Sequence, residues 1–276
     1  MLLRSYLFAA IFLLTCLAQA QKQCPIHVVI VFDRTASFWR WTNVAHAIVR
    51  RLFGELRFTL PSSGNDLITF IELSSKPSIV AQLRGASAWL KGADAFLKHF
   101  NQPVPEKGTA IVEALWLVTD VLQTQPEGFD VFLLFSDLHP DPCPPNISSW
   151  VKELMRFDWN QLESIDSFWI FLWESDPSFD KRGRPYTTVL RESFAPLRRA
   201  HFVPPPPLVD GVLQRRQLDD FVNQIVNDIV DDVASLDKNN EQAFVTSWMV
   251  VLATIVGLAF LVLAAVLSRR GAGRHG

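Results

Sequence analysis

Three oxygen-bearing side chains follow an apolar run near the amino terminus, at a spacing that metal ligands use. The run IHVVIVF, residues 26–32, leads directly into Asp33, and Thr35 and Ser37 follow at alternate positions. A carboxylate and two hydroxyls are hard ligands, which favour Mg²⁺, Mn²⁺ or Ca²⁺ over zinc or copper. The pattern therefore indicates either a polar turn after a buried strand or a set of ligands directed at one point.

Two further oxygen groups are expected at the same place. Asp137 ends a later apolar run, FDVFLLFSD, and Thr109 follows Gly108 at the start of a helical pattern. Ligands of open α/β sheets bind beyond the carboxyl ends of the strands, where the strand order reverses. If the strands ending in Asp33 and Asp137 are neighbours there, two carboxylates and three hydroxyls meet. Two carboxylates balance the charge of one divalent cation, and Mg²⁺ is the expected ion.

The elements that must position these groups alternate between strands and helices. Short continuous apolar runs predict strands at residues 26–32, 66–73, 78–83, 129–137, 166–173 and 198–203. Helical spacing predicts helices near residues 41–56, 86–100, 109–123, 150–157 and 212–236. This order favours an α/β fold with a doubly wound, mostly parallel central sheet and helices on both faces. The short SSKP separation between the second and third strands predicts one antiparallel edge strand.

The segments IVFDRTAS, KGTAIVEAL and LLFSD, in this order and spacing, resemble the von Willebrand factor type A domain over residues 26–235. That family has a Rossmann-like fold and carries a metal-ion-dependent adhesion site. The resemblance implies that the ion is held by Asp33, Thr35, Ser37, Thr109 and Asp137. Thr35 stands where the family usually has serine. Leu138 stands where the family usually has glycine, so the loop after Asp137 must run differently.

Both ends of the chain have the character of targeting segments. Residues 1–20 combine Arg4, an apolar run and the small residues Ala18 and Ala20, which predicts a cleaved secretory signal. Residues 244–267 carry no charge and are long enough to span a bilayer of about 30 Å. The basic tail at 268–276 favours the cytoplasmic side. We therefore expect a domain at 21–236, with its core at 26–203, to be periplasmic or extracellular and joined by a linker at 237–243 to a single-pass transmembrane helix.

Several other residues could contribute to the site or to the fold. Trp39, His139 and Asp141 flank the proposed ligands and could form a rim that contacts a partner. Cys24 and Cys143 could form a disulfide in an exported domain, although the predicted strand arrangement places them near opposite ends of the sheet. Ser136 has no evident base beside it, and no G-x-S-x-G motif is present in the chain.

These features together favour a binding module over an enzyme. The net charge of −2 and the predicted export make nucleic acid an improbable partner. The main hypothesis is that the cation takes an oxygen from an acidic side chain of a partner protein, in adhesion or in assembly of an envelope complex. A second hypothesis is a metal-independent subunit of a membrane complex, held through the amphipathic helix at 213–233 or through the span. A metal-dependent hydrolase is the least favoured, since no general base is evident near the site.

Overall fold

The computed structural model describes residues 24–60, 64–101, 108–137, 157–173, 188, 200–209 and 212–235. The predicted signal, linker, membrane span and tail all lie outside these ranges. Within the ranges, no helix is both long enough and apolar enough to cross a membrane. The structure therefore bears on the α/β domain, and the two targeting segments stay predictions.

Six strands form one mixed sheet in the order β3-β2-β1-β4-β5-β6. The strands are β1 (Ile26–Asp33), β2 (Leu67–Leu73), β3 (Ser78–Arg84), β4 (Phe129–Ser136), β5 (Ser167–Leu172) and β6 (Ala200–Phe202). All neighbouring pairs are parallel except β2 and β3, which are antiparallel. The prediction of a doubly wound, mostly parallel sheet with one antiparallel edge strand is confirmed.

Helices connect these strands, and their bounds differ slightly from the predicted ones. They are α1 (Thr42–Thr59), α2 (Ser87–His99), α3 (Ile111–Gln123) and α4, at residues 215–235. Short 3₁₀ helices occupy Trp39–Trp41 and Trp159–Leu162. The helix predicted near residues 150–157 lies, except for its last residue, outside the described part of the chain. The predicted start of a helix at Thr109 was wrong by two residues, because α3 begins at Ile111.

The two faces of the sheet are covered by different kinds of side chain. Alternate residues of a strand point to opposite faces, and β1 shows both. Phe32 contacts Phe96 and Phe100 of the α2 region, with ring centroids 5.1 and 4.9 Å apart. Val29 and Val31 instead join the mainly aliphatic core formed with α3. β1 is thus held rigidly from both sides, which fixes the position of its carboxyl end.

The last helix packs on the domain through its first half. Phe221 contacts Phe171 of β5, with ring centroids 6.4 Å apart, and Asp219 forms an ion pair with Arg51 of α1 at 3.1 Å. Val222 is completely buried. The chain divides into two compact units, Met1–Asp228 and Ile229–Gly276, and of the second the structure describes only residues 229–235.

Candidate metal centre

The strand order reverses between β1 and β4, and the candidate ligands lie at this point. β1 has β2 on one side and β4 on the other, so connections leave it in both directions. Asp33 is the last residue of β1, and Ser136 and Asp137 come at the end of β4. Ser136 Oγ donates a hydrogen bond to Asp33 Oδ2. The two strand ends are therefore in direct contact, as the sequence predicted.

A compact turn after β1 places Thr35 against the Asp33 carboxylate and Ser37 against Thr35. We call residues 34–38 the hydroxyl turn. Asp33 Oδ1 accepts hydrogen bonds from the backbone N–H of Thr35 at 2.8 Å and from its Oγ1 at 2.6 Å. Thr35 Oγ1 lies 3.1 Å from Ser37 Oγ. The turn ends at Phe38, which has helical dihedral angles and leads into a 3₁₀ helix.

Two buried carboxylates lie close enough at this edge of the sheet to interact electrostatically. Asp33 is 0% exposed and Asp137 is 5% exposed. The pKa of Asp33 is raised from 3.8 to about 7, chiefly by burial and then by the negative charge of Asp137, while hydrogen bonds from Ser136 and Thr35 lower it. Holding two such groups charged without a cation is costly. A divalent cation between them would remove that cost.

Thr109 is held at the same edge by the loop before α3. The backbone N–H of Ala110 donates to the carbonyl of Ser74 at 2.9 Å, and Ser74 directly follows β2. Gly108 has a φ of 130°, a conformation that L side chains rarely adopt, which lets the chain enter this loop. Thr109 Oγ1 is buried and has no hydrogen-bond partner among the described residues. A buried hydroxyl without a partner is unfavourable, and a bound cation would satisfy it.

The donor set fits a hard cation. Within the described ranges, no group of three or more His, Cys, Asp or Glu side chains comes together. The oxygens available here come from two carboxylates and from hydroxyls, which suits Mg²⁺, Mn²⁺ or Ca²⁺. The carboxylates could hold such an ion directly or through water, with the hydroxyls completing the set.

Of the remaining predicted residues, the structure describes only Trp39 and Cys24. Trp39 is half-buried in the 3₁₀ helix that follows the hydroxyl turn. His139, Asp141 and Leu138 lie outside the described residues, so the rim and the loop after Asp137 stay predictions. Cys24 is half-buried just before β1, and Cys143 is also outside the described ranges. Their pairing is likewise still a prediction.

Three residues beside the site were missed or misjudged from the sequence. Ser136 was weighed only as a nucleophile, yet its hydroxyl donates to Asp33. Phe38 and Trp173 are completely buried and stack on each other next to the ligands. The serine at the end of the run FDVFLLFS of β4 was a usable signal, because a polar group on a buried strand requires a partner. No sequence signal pairs Phe38 with Trp173.

No protein-family model and no curated protein matches the chain. Among solved structures, a variant of the PilB minor pilin from Streptococcus sanguinis aligns with a TM-score of 0.54 and 11% identity, over 77% of this chain and 63% of the pilin. The chain thus covers less than two thirds of that pilin, and the likeness shows a shared fold alone.

Two further structures align less closely. One is a von Willebrand factor type A protein from Catenulispora acidiphila, with a TM-score of 0.49 and 13% identity, over 74% of this chain and 42% of that one. The other is the conserved hypothetical protein BatB from Bacteroides thetaiotaomicron, with a TM-score of 0.46 and 15% identity, over 75% of this chain and 99% of BatB. TM-scores below 0.5 are too low to establish a shared fold.

Proposed function

We propose that this chain is a binding module of the von Willebrand factor type A kind that engages a protein partner through a divalent cation. The predicted signal at residues 1–20 and span at 244–267 would tether it outside the cytoplasm. The observation that carries the proposal is the buried pair of carboxylates, Asp33 and Asp137, at the end of two neighbouring central strands. The hydroxyl turn lies against one member of that pair.

Five residues from three parts of the chain would hold the cation. Asp33 and Asp137 supply the charge, Thr35 and Ser37 approach from the hydroxyl turn, and Thr109 approaches from the loop before α3. When bound, the ion would supply an electrophilic centre that accepts an oxygen from an acidic side chain of the partner. Mg²⁺ is the expected ion, with Mn²⁺ and Ca²⁺ as alternatives, since all three bind oxygen ligands.

A hydrolytic role has less support from the same contacts. The Ser136 hydroxyl donates to Asp33, and Asp33 is itself a proposed ligand. The hydroxyl therefore holds a carboxylate that the cation itself would occupy, which disfavours its use as a nucleophile. We propose a non-enzymatic role for this reason.

A metal-independent subunit remains the second candidate, but the first part of α4 gives it little support. Val222, Ile225 and Val226 are buried, and Phe221 contacts β5. This part of the apolar stripe is covered within the domain and is closed to a partner. Association through the span would be the remaining route for this alternative.

Metal titration separates the two candidates. The full-length chain, purified in detergent, would be titrated with Mg²⁺ and Mn²⁺ by calorimetry and by thermal unfolding. At a concentration of 100 times the dissociation constant, we expect the ion to raise the Tm by about 5–10 °C. Asp33→Ala should lower the affinity at least about 100-fold, because a charged ligand is lost. Asp94→Ala, an exposed acid on α2, is the matched control and should bind as the wild type does.

Removal of the metal tests whether the ion bridges the chain to its partner. If the ion bridges to an acidic side chain, EDTA and Asp33→Ala should both abolish capture of the partner, and Asp94→Ala should not. Capture that survives both changes would exclude the metal-bridged mode. A wild-type chain that shows neither heat nor a Tm shift with any of the three ions would favour the metal-independent subunit.

A further inference from the structure

Trp173 lies where it contacts both sides of the proposed metal site. It directly follows β5, and its backbone N–H donates to the carbonyl of Ser136 at 3.2 Å. Ser136 in turn donates to Asp33. The indole ring lies 6.0 Å from the ring of Phe135 in an edge-on arrangement. Trp173 is therefore fixed beside the end of β4, one hydrogen bond away from a residue that holds a proposed ligand.

The other side of the indole holds the hydroxyl turn. Phe38 follows Ser37 directly, is 0% exposed, and stacks on Trp173 with centroids 6.1 Å apart and planes at 22°. Trp41 packs on the same indole at 5.6 Å. The backbone that carries Thr35 and Ser37 is thus anchored at its far end by Phe38, which stacks on Trp173 and also packs edge-on against Phe32 at 5.7 Å. Such stacked pairs have a geometric preference as well as an apolar contribution.

The indole also carries a cost that a purely apolar ring would avoid. Trp173 is 0% exposed, and its Nε1–H has no hydrogen-bond acceptor among the described residues. A buried donor without an acceptor is unfavourable. The ring contacts that join β4 to the hydroxyl turn offset this cost.

We infer that Trp173 is a positioning residue, which holds the hydroxyl turn through Phe38 in the geometry that a divalent cation needs. The inference rests on the proposed metal site. Mg²⁺ requires near-ideal octahedral geometry, whereas Ca²⁺ tolerates irregular and longer coordination. Loosening the turn should therefore weaken binding of Mg²⁺ more than binding of Ca²⁺. A role limited to stability would change both affinities alike.

The test compares two buried tryptophans of the full-length chain. Trp173→Leu should lower the Mg²⁺ affinity about tenfold and the Ca²⁺ affinity less than about threefold, as expected for a residue that orients ligands. Trp89 is also buried, at 3% exposure, but packs at the opposite edge of the sheet. Trp89→Leu should lower the Tm yet leave both affinities unchanged. Phe38→Leu removes the other ring of the stacked pair and should show the same two affinity changes as Trp173→Leu. If Trp173→Leu does not fold, Phe38→Leu takes its place in the test.

A conservative variant adds a spectroscopic measurement. Trp173→Phe keeps a ring against Phe38, so the Mg²⁺ affinity should stay within about twofold of wild type. The part of the Mg²⁺-induced change in tryptophan emission that arises from Trp173 should disappear. Provided that the wild-type chain binds the ions, two results would overturn the inference. One is an equal loss of Mg²⁺ and Ca²⁺ affinity in Trp173→Leu, and the other is no loss of affinity in either Trp173→Leu or Phe38→Leu. A wild-type chain that binds no ion would overturn the proposed function and this inference with it.

Discussion

Two aspartates in the described part of this domain are completely buried, one at each end of the strands of the same sheet. Asp66 directly precedes β2 at the amino edge, and Asp33 ends β1 at the carboxyl edge. Both are 0% exposed. Asp66 accepts hydrogen bonds from the backbone N–H of Ile26 at 3.0 Å and from Trp89 Nε1 at 2.8 Å, one on each oxygen. Asp33 accepts from hydroxyls and one backbone N–H, and it faces the carboxylate of Asp137.

The difference separates a carboxylate that holds the fold from one that is prepared for a ligand. Asp66 joins the start of β1 to α2, and each bond to a charged acceptor contributes about 1.5–3 kcal/mol. Asp33 is placed against a like charge, an arrangement that weakens the domain unless a cation is present. Burial alone therefore does not distinguish the two roles, whereas the charge and type of the nearest groups do.

Removing Asp66 should have the largest effect on stability. Asp66→Ala leaves the N–H of Ile26 and Nε1 of Trp89 buried without an acceptor, so we expect a loss of about 3–5 kcal/mol. Chemical denaturation of the full-length chain in detergent, followed by tryptophan fluorescence, measures this loss. The folded fraction should keep its Mg²⁺ affinity. A loss below about 1 kcal/mol would contradict the structural role of Asp66.

Neutralising Asp33 should raise the free energy of unfolding in metal-free buffer, opposite to the effect of removing Asp66. The folded-state pKa of Asp33, about 7, lies above the value of 3.8 expected in the unfolded chain. Between these pH values the unfolded chain releases a proton that the folded chain retains, so stability falls as the pH rises across this window. Asp33→Asn removes the titration and the repulsion from Asp137. At pH 7 we expect the variant to be more stable by about 1–2 kcal/mol, with metal binding lost.

Denaturation in EDTA at pH 4 and at pH 7 measures this effect. The gain should be present at pH 7 and small at pH 4, where the wild-type carboxyl is largely protonated when folded. A variant that is less stable than wild type at pH 7 would show that Asp33 holds the fold as Asp66 does, and the comparison between the two aspartates would fail.

Much of this architecture could be predicted from the sequence, because buried parallel strands have a strong pattern. The runs at 26–32 and 129–137 are continuous and apolar, and they match β1 and β4 to within one residue. Once these two strands are neighbours, Asp33 and Asp137 must lie at the same edge. Their proximity thus follows from strand order, which the sequence analysis assumed and the pairing of β1 with β4 supplies.

The contacts that the sequence did not predict depend on tertiary packing. Helix α3 begins two residues later than its pattern indicated, because Ala110 has a ψ of 73°, outside the helical range. Its N–H donates to the carbonyl of Ser74, just after β2. The stacking of Phe38 on Trp173 joins residues far apart in the chain. Neither local propensity nor periodicity carries information on such pairs, which depend on how the turn and β5 meet.

The smallest expected effect on stability comes from His46 of α1, a partly buried titratable group beside β1. His46 packs against Phe32, with ring centroids 5.8 Å apart, and burial lowers its pKa from 6.5, opposed by a hydrogen bond with the backbone of Phe100. Below pH 6.5 the unfolded chain takes up a proton that the folded chain resists, so this histidine makes stability fall as the pH falls. The sign is opposite to that of Asp33.

His46→Phe removes this titration and keeps an aromatic ring in the cluster. Relative to wild type, the variant should gain stability as the pH is lowered from 7 to 5, by an amount below about 1 kcal/mol, because the side chain is only partly buried. Denaturation of both proteins across this range, in EDTA, gives the difference directly. A difference that is constant with pH would mean that His46 titrates alike in the folded and unfolded chains. In that case the cost of holding polar groups at this edge would be confined to the two aspartates and their hydroxyls.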